Sequence, residues 1–338
     1  MKNWIYVGIL LCLFSCESKE KRLEQFLLKG NLAVKDLNTE QALHYFEQAA
    51  KLDPCFVEAW NNMGTVHYRA GRYTEALIHY EKAIACDSAF LGALINRANT
   101  LYELRELYSA LSDIERIKRL KSDTSVAFFV EGLIKTRMRD FSGGLEAFGE
   151  AIKRDSSNAE LWVNRATVWY YQRAFEDARM DLKKAEQINP DEPNIYNTLA
   201  LIEAEDNNFL EAIRLVNKAL LLKPGDPYFV NNRGYFYLQL GETEKALTDI
   251  DDAIISDPTN GWAYRNKGLY FLAKNQFADA ERLLVQAYSR DEFIDKIDYH
   301  LGVAYFKTGK IKEACVAFTR AQAIGITIEK EYLDKCNQ

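Results

Sequence analysis

Cysteine, histidine and a periodic set of asparagine, arginine and tyrosine residues are the side chains of this sequence that could do chemistry. A thiol can accept a fatty chain, bind zinc or join a disulfide; an imidazole can move protons; amides and guanidinium groups can hold a peptide. Spacing removes most of these options. His44, His67, His79 and His300 form no HExxH pair, and none stands beside a serine in a GxSxG setting. His67 falls in a column of aromatic packing residues, which gives it a core role. The six cysteines contain no CxxC pair, and neither a P-loop nor a dinucleotide-type glycine run occurs. Acidic neighbours such as Asp251 and Asp252 read as solvated charge on a repeating helix. The residues point to a non-enzymatic protein that uses no metal and no cofactor.

With 338 residues, 48% of them apolar, the protein is able to bury a large core. Its formal net charge is -6 with both signs interspersed, which opposes a phosphate-tracking surface and excludes nucleic acid as the expected partner. The one local basic group, Arg116, Lys118, Arg119 and Lys121, reads as a solvated helix end.

Cys16 is the exception among the thiols, because it sits where an apolar run stops and a charged run begins, in "LFSCESKEKR". The run from Trp4 to Phe14 reaches about 16 Å as a helix, too short to span a bilayer but long enough for a secretory signal behind the basic Lys2. Leu13, Phe14, Ser15 and Cys16 resemble the lipobox of bacterial lipoproteins. That resemblance implies cleavage after residue 15 and lipidation of Cys16, with residues 16–22 as the lipidated cysteine and a tether of at most about 20 Å. It also implies a lipid-anchored protein of the bacterial cell envelope, on the outer membrane, at its periplasmic or surface face, if the host is Gram-negative. Of the remaining cysteines, Cys55, Cys86, Cys315 and Cys336, no pairing is readable, and buried single thiols are the expectation.

The rest of the sequence is one period. Ala42, Ala76, Ala110, Gly144, Ala178, Ala212, Ala246, Ala280 and Ala314 recur every 34 residues, and so do Gly30, Gly64, Ala98, Gly132, Ala166, Ala200, Gly234, Gly268 and Gly302. In the second unit, Trp60, Met63, Gly64, His67 and Tyr68 form one helical stripe, and Tyr73, Ala76, Leu77, Tyr80, Ala83 and Ile84 form another. Gly71 separates them, with Gly241 and Gly309 in its column, and Pro54, Pro190, Pro224 and Pro258 mark where a second helix ends. Each unit is thus a helical hairpin. Nine of them, starting at residues 23, 57, 91, 125, 159, 193, 227, 261 and 295, cover residues 23–328, and residues 329–338 supply a short C-terminal capping helix. Ile117, Gly144, Ser122 and Ser156 break the columns of the third and fourth units, where looser packing or a bend is expected, although the unbroken period argues against a domain boundary.

This pattern resembles the tetratricopeptide repeat, with W-x2-L-G-x2-Y, A-x3-F and P at that family's spacing. The resemblance implies an all-α, right-handed superhelical solenoid whose first helices line a concave groove that takes a protein or an extended peptide. One groove column reads Asn62, Asn96, Asn164, Asn232 and Asn266, and it resembles the asparagine ladders of peptide-binding members. Tyr228, Asn231, Asn232, Tyr235, Trp262, Arg265, Asn266 and Tyr299 are expected to converge as an exposed patch on the same face. The lysine-rich clamp of cytosolic co-chaperones has no match, since its early columns hold Leu27, Asn31 and Asn61. A structural correlation accompanies these: Arg97, Arg165 and Arg233 share a column, and Asp113, Asp181 and Asp249 follow each by sixteen residues, predicting three ion pairs within repeats.

The function these features favour is a membrane-anchored scaffold that binds other proteins in the envelope. A soluble secreted or cytosolic adaptor of the same fold, or an accessory subunit of an envelope enzyme complex, are the alternatives. The apolar residues of "EKEYLDKCNQ" form only a partial cap, so the last unit's edge is expected to meet a partner or another copy of the protein.

Overall fold

The computed structural model describes residues 18–120 and 124–336, and it is all-helical, with nineteen α-helices and no strand among the described residues. The signal segment and Cys16 lie outside the described residues, as do Lys121 and Ser122. Two compact units are present, divided between Ser156 and Ser157. The unbroken period gives no sign of this division, which falls directly after the two repeats whose columns are most irregular.

The first unit contains four hairpins: α1 (Lys19–Lys35) with α2 (Thr39–Leu52), α3 (Val57–Arg69) with α4 (Tyr73–Cys86), α5 (Leu91–Glu103) with α6 (Leu107–Leu120), and α7 (Ser125–Arg137) with α8 (Phe141–Arg154). The second contains five: α9 (Ala159–Tyr171) with α10 (Phe175–Ile188), α11 (Pro193–Glu205) with α12 (Phe209–Leu222), α13 (Pro227–Gln239) with α14 (Thr243–Ser256), α15 (Gly261–Ala273) with α16 (Phe277–Arg290), and α17 (Ile297–Lys307) with α18 (Ile311–Ala323). A final short helix, α19 (Lys330–Cys336), follows them. Seven of the nine first helices begin on the residue the period assigns; α1 starts four residues early and α17 two residues late.

The early start of α1 corrects the expected tether. Ser18 caps the helix by accepting from the Lys21 amide at 3.3 Å, and Lys19 pairs with Asp53 at 3.1 Å, so Lys19–Arg22 are helical rather than extended.

Hairpin turns are built alike whatever residue occupies them. Leu37, Gly71, Arg105, Arg139, Arg173, Asn207, Gly241, Asn275 and Gly309, one per repeat, all have φ between 57° and 80°. The left-handed residue lets following amides return to the last carbonyls of the first helix, as Arg72 does to His67 at 3.0 Å. Six of the nine repeats accept a side chain there at a cost of about 1 kcal/mol or more. Between repeats, Asp53, Asp87, Asn189, Asp257 and Asp291 each accept a hydrogen bond from the backbone amide two residues on, so the second helix is stopped by these side chains as well as by proline.

Helix pairs approach closely because the small column faces a matched partner sixteen residues later. A Cβ on Gly30, Gly64, Gly132 or Gly302 would lie 2.3 to 2.6 Å from the ring of Phe46, Tyr80, Phe148 or Phe318. Where the column holds alanine, the partner is aliphatic: Ala98 with Ile114, Ala166 with Leu182, Ala200 with Val216. Gly234 and Gly268 also face aliphatic partners, Ile250 and Leu284, so an aromatic ring occurs only opposite glycine. Gly64→Ala is expected to cost about 2 kcal/mol by overpacking, and adding Tyr80→Leu is expected to recover about half of it. Urea titration of the single and double variants checks this, and simple additivity of the two losses would refute the matching.

The four remaining cysteines are not single thiols. Cys55 is bonded to Cys86 and Cys315 to Cys336, with Cα atoms 5.2 and 5.4 Å apart. The first bridge joins the turn after α2 to the last residue of α4, one repeat on, and the second pins α19 to α18. Tyr332 of α19 stacks on Phe318 at 5.0 Å and meets Phe306 at 4.8 Å. The apolar edge of the last repeat is thus covered by the protein's own C-terminal helix, which removes the reason for expecting another copy there.

Candidate functional site

Within each unit, first helices of neighbouring repeats touch one another, as α3 does α5 and α13 does α15, whereas second helices make no comparable contact among the described residues. The first helices therefore line the inside of the curvature, and side chains at their fifth and sixth positions point to a common wall.

Amides on this wall are largely spent on the fold. Asn96 donates to Asn61 at 2.9 Å, Asn232 to Asn197 at 2.8 Å and Asn266 to Asn231 at 2.9 Å, each reaching back 35 residues to the preceding repeat. Asn62 donates to Asn31 at 3.0 Å. Asn164 has Phe129 in place of an asparagine 35 residues back, and it turns to the Glu160 carbonyl of its own helix at 2.9 Å. The column clips repeats together: each of these amides commits one N–H to the fold, and the oxygens of Asn62 and Asn266 also accept, from Asn61 and Arg265.

The eight-residue patch of the second unit converges only in part. Arg265 lies over the rings of Tyr235 and Trp262, 5.1 and 5.9 Å from their centroids, and donates to Asn266 at 2.8 Å. Tyr228 stands at the solvent side, 50% exposed, while Trp262 and Tyr235 are half-buried. Asn231, Asn266 and Arg265 are buried, with 1%, 2% and 5% exposure, which corrects the expected exposed patch. Part of the reason is the late start of α17: the backbone turns at Lys296 with φ of 52°, leaving the Asp295 carboxylate 4.0 Å from Arg265. Tyr299 belongs elsewhere, since its hydroxyl donates to Glu329 at 2.6 Å and its ring packs beside Phe318 near the C-terminal helix.

Two residues that the periodic columns do not single out join this wall. His300 is held well below the usual imidazole range by burial and by the positive charges of Arg265 and Lys296, so it is neutral. Its Nε2 is buried without a hydrogen-bond partner. Asp295 is the other, and the signal for it was the acidic turn "DEFID" at the start of an irregular repeat.

The three expected ion pairs lie behind the wall, between the helices of a hairpin. Arg97 holds Asp113 at 2.7 and 2.5 Å, Arg165 holds Asp181 at 2.7 and 2.7 Å, and Arg233 holds Asp249 at 2.7 and 2.8 Å, each through two parallel bonds. Lys267, which lacks an aspartate sixteen residues on, reaches Asp251 of the preceding repeat at 2.7 Å. In the first unit His67 and His79 stack at 5.0 Å, and burial pushes His79 down to about 4, helped by His67 and Lys82. No group of three or more metal-binding side chains occurs among the described residues, and no helix among them is long and apolar enough to cross a membrane.

A family model described as tetratricopeptide repeat matches residues 27–89, 129–193, 197–261 and 265–326, more than half of the protein. Among curated proteins, this one is 28% identical over 129 residues to Hsp70-Hsp90 organizing protein 3 of Arabidopsis thaliana, a stretch that makes up 38% of this sequence and 23% of that protein. It is 25% identical over 197 residues to stress-induced-phosphoprotein 1 of Caenorhabditis elegans, spanning 46% and 61% respectively. Less than two thirds of either relative is thus matched. Among solved structures, the Cut9 and Hcn1 hetero-tetramer of the APC/C matches with a TM-score of 0.66 at 14% identity over 95% of this protein and 63% of that one. PilF of Pseudomonas aeruginosa matches with a TM-score of 0.55 at 19% identity over 66% and 100%. At these identities both structures speak for the fold alone. Hairpins of 34 residues, first helices lining one wall within each unit and a family match over most of the repeats lead to one conclusion: this protein belongs to the tetratricopeptide repeat family.

Proposed function

We propose that this protein is a lipid-anchored scaffold of the bacterial cell envelope that holds a partner protein or an extended peptide against the inner wall of its second unit. One observation carries the binding part: Tyr235 and Trp262 flank a buried guanidinium on that wall, Tyr228 is exposed on the neighbouring α13, and aromatic residues with arginine are the usual anchors of interfaces. Unit one carries asparagines clipped from repeat to repeat on its wall.

Anchoring rests on the lipobox-like order before Cys16. Two disulfides support export, since such bonds persist in oxidising compartments. Helix α1 starts three residues after Cys16, so an anchored protein would hold its first repeat against the headgroups. Self-association through the C-terminal edge is not part of the proposal, because α19 covers that edge.

A soluble adaptor is the second reading, favoured by the similarity to Hsp70-Hsp90 organizing proteins. Metabolic labelling with a fatty acid separates the two. The anchored protein is expected to take label and partition with membranes, and Cys16→Ala to lose both; label and partitioning unchanged in that variant would refute the anchor.

A further inference from the structure

Among the described residues, buried charges are paired with one exception. Each buried carboxylate has a cation within about 3 Å: Asp113 with Arg97, Glu131 with Lys135, Asp181 with Arg165, Asp226 with Lys223 and Asp249 with Arg233. Arg265 is the buried cation, 5% exposed, and its only carboxylate is Asp295, at 4.0 Å with a side chain 57% exposed to water. Its Nη1 donates to Asn266, while its Nε–H is buried and has no acceptor. Nearby, the Nε2 of His300 is likewise buried and unpartnered.

A guanidinium taken out of water needs a counter-charge and an acceptor for each donor, and here both are incomplete. The rings of Tyr235 and Trp262 stabilise a cation but accept no strong hydrogen bond. We propose that Arg265 is the receptor for a single carboxylate brought by the partner, either an Asp or Glu side chain or a free C-terminal carboxylate, and that Asp295 is a loose internal substitute which the partner displaces. This deepens the reading of the inner wall as the binding surface and rests on it. A phosphate fits less well, because the Asp295 carboxylate beside Arg265 would repel a dianion more strongly than a single carboxylate.

The test uses the full-length mature protein from residue 17 and a displayed library of random dodecapeptides, whose selected members are then synthesised with free and with amidated C-termini. The expected result is that selected peptides share an acidic residue or require the free terminus, and that removing this one carboxylate weakens binding at least tenfold. In Arg265→Gln the same removal is expected to matter less than twofold, with Arg265→Lys between, and Asp295→Asn is expected to tighten binding about threefold. Which source supplies the group follows from whether Asp/Glu replacement or amidation causes the loss. Peptides that bind tightly yet lose nothing on carboxylate removal, or lose equally in Arg265→Gln, overturn the carboxylate receptor while leaving the binding surface in place. No selected peptide at all overturns both. Asp295→Asn keeps the inference testable should Arg265→Gln fail to fold, since unchanged or weaker binding in that variant also contradicts it.

Discussion

Opening the Cys55–Cys86 bridge is expected to lower the stability of the first two repeats by about 3–4 kcal/mol. The bridge closes a loop of 31 residues, and the conformational entropy removed from the unfolded state by a loop of that length gives this figure. Its placement makes the effect local and large. Among the described residues, the first repeat contacts a neighbouring repeat on one side only, and the covalent link reinforces that interface. Hydrogen exchange is the suitable measurement, because an array of repeats need not melt in a single step. With reductant, or in Cys55→Ser/Cys86→Ser, amides of α1 and α2 are expected to exchange a hundredfold faster or more, while those of α11 to α14 stay unchanged. Equal protection of α1 and α2 with and without the bridge would contradict this.

Asp181→Ala is expected to destabilise the α9–α10 hairpin by about 3 kcal/mol. Asp181 is 5% exposed and takes two hydrogen bonds from Arg165, so its removal strands a guanidinium that is only partly reached by water. The Arg165 side chain is 23% exposed, which places the loss at the lower end of the range for broken buried pairs. The pair itself contributes less than this number. Replacing both partners, as Arg165→Met/Asp181→Leu, is expected to fall within about 1 kcal/mol of the parent, because the desolvation cost of both charges disappears together. If the double replacement is as damaging as the single one, the pair is a net stabiliser and not chiefly a register device. Local hydrogen exchange in α9 and α10 reads both variants.

Much of this architecture was written in the period. Helix starts at residues 57, 91, 125, 159, 193, 227 and 261 agree with the 34-residue count because each is set locally by a turn and a small-residue contact. The three arginine–aspartate pairs were visible as a correlation at fixed offset for the same reason. Two further rules were equally visible and missed: aromatic residues only opposite glycine, sixteen residues apart, and asparagine against asparagine 35 residues apart. Both link positions one repeat or one helix away, so a column read singly hides them. Other features had no such signal. Burial of Arg265 depends on how the irregular turn before α17 lies against α15, a property of one packing rather than of the repeat. The pairing of Cys55 with Cys86 depends on where a turn and a helix end meet in space, and four cysteines leave that choice open. The division after Ser156 also leaves the 34-residue count undisturbed.

The central claim is that partners are held on the inner wall of the second unit, and site-specific photo-crosslinking in the native cell tests it most directly. A benzophenone side chain is placed at Tyr228, 50% exposed on α13 of the wall, and separately at Leu221, 82% exposed on the second helix α12. The account predicts a discrete crosslinked partner from position 228 and none from position 221. A partner captured at 221 with none at 228 would contradict it.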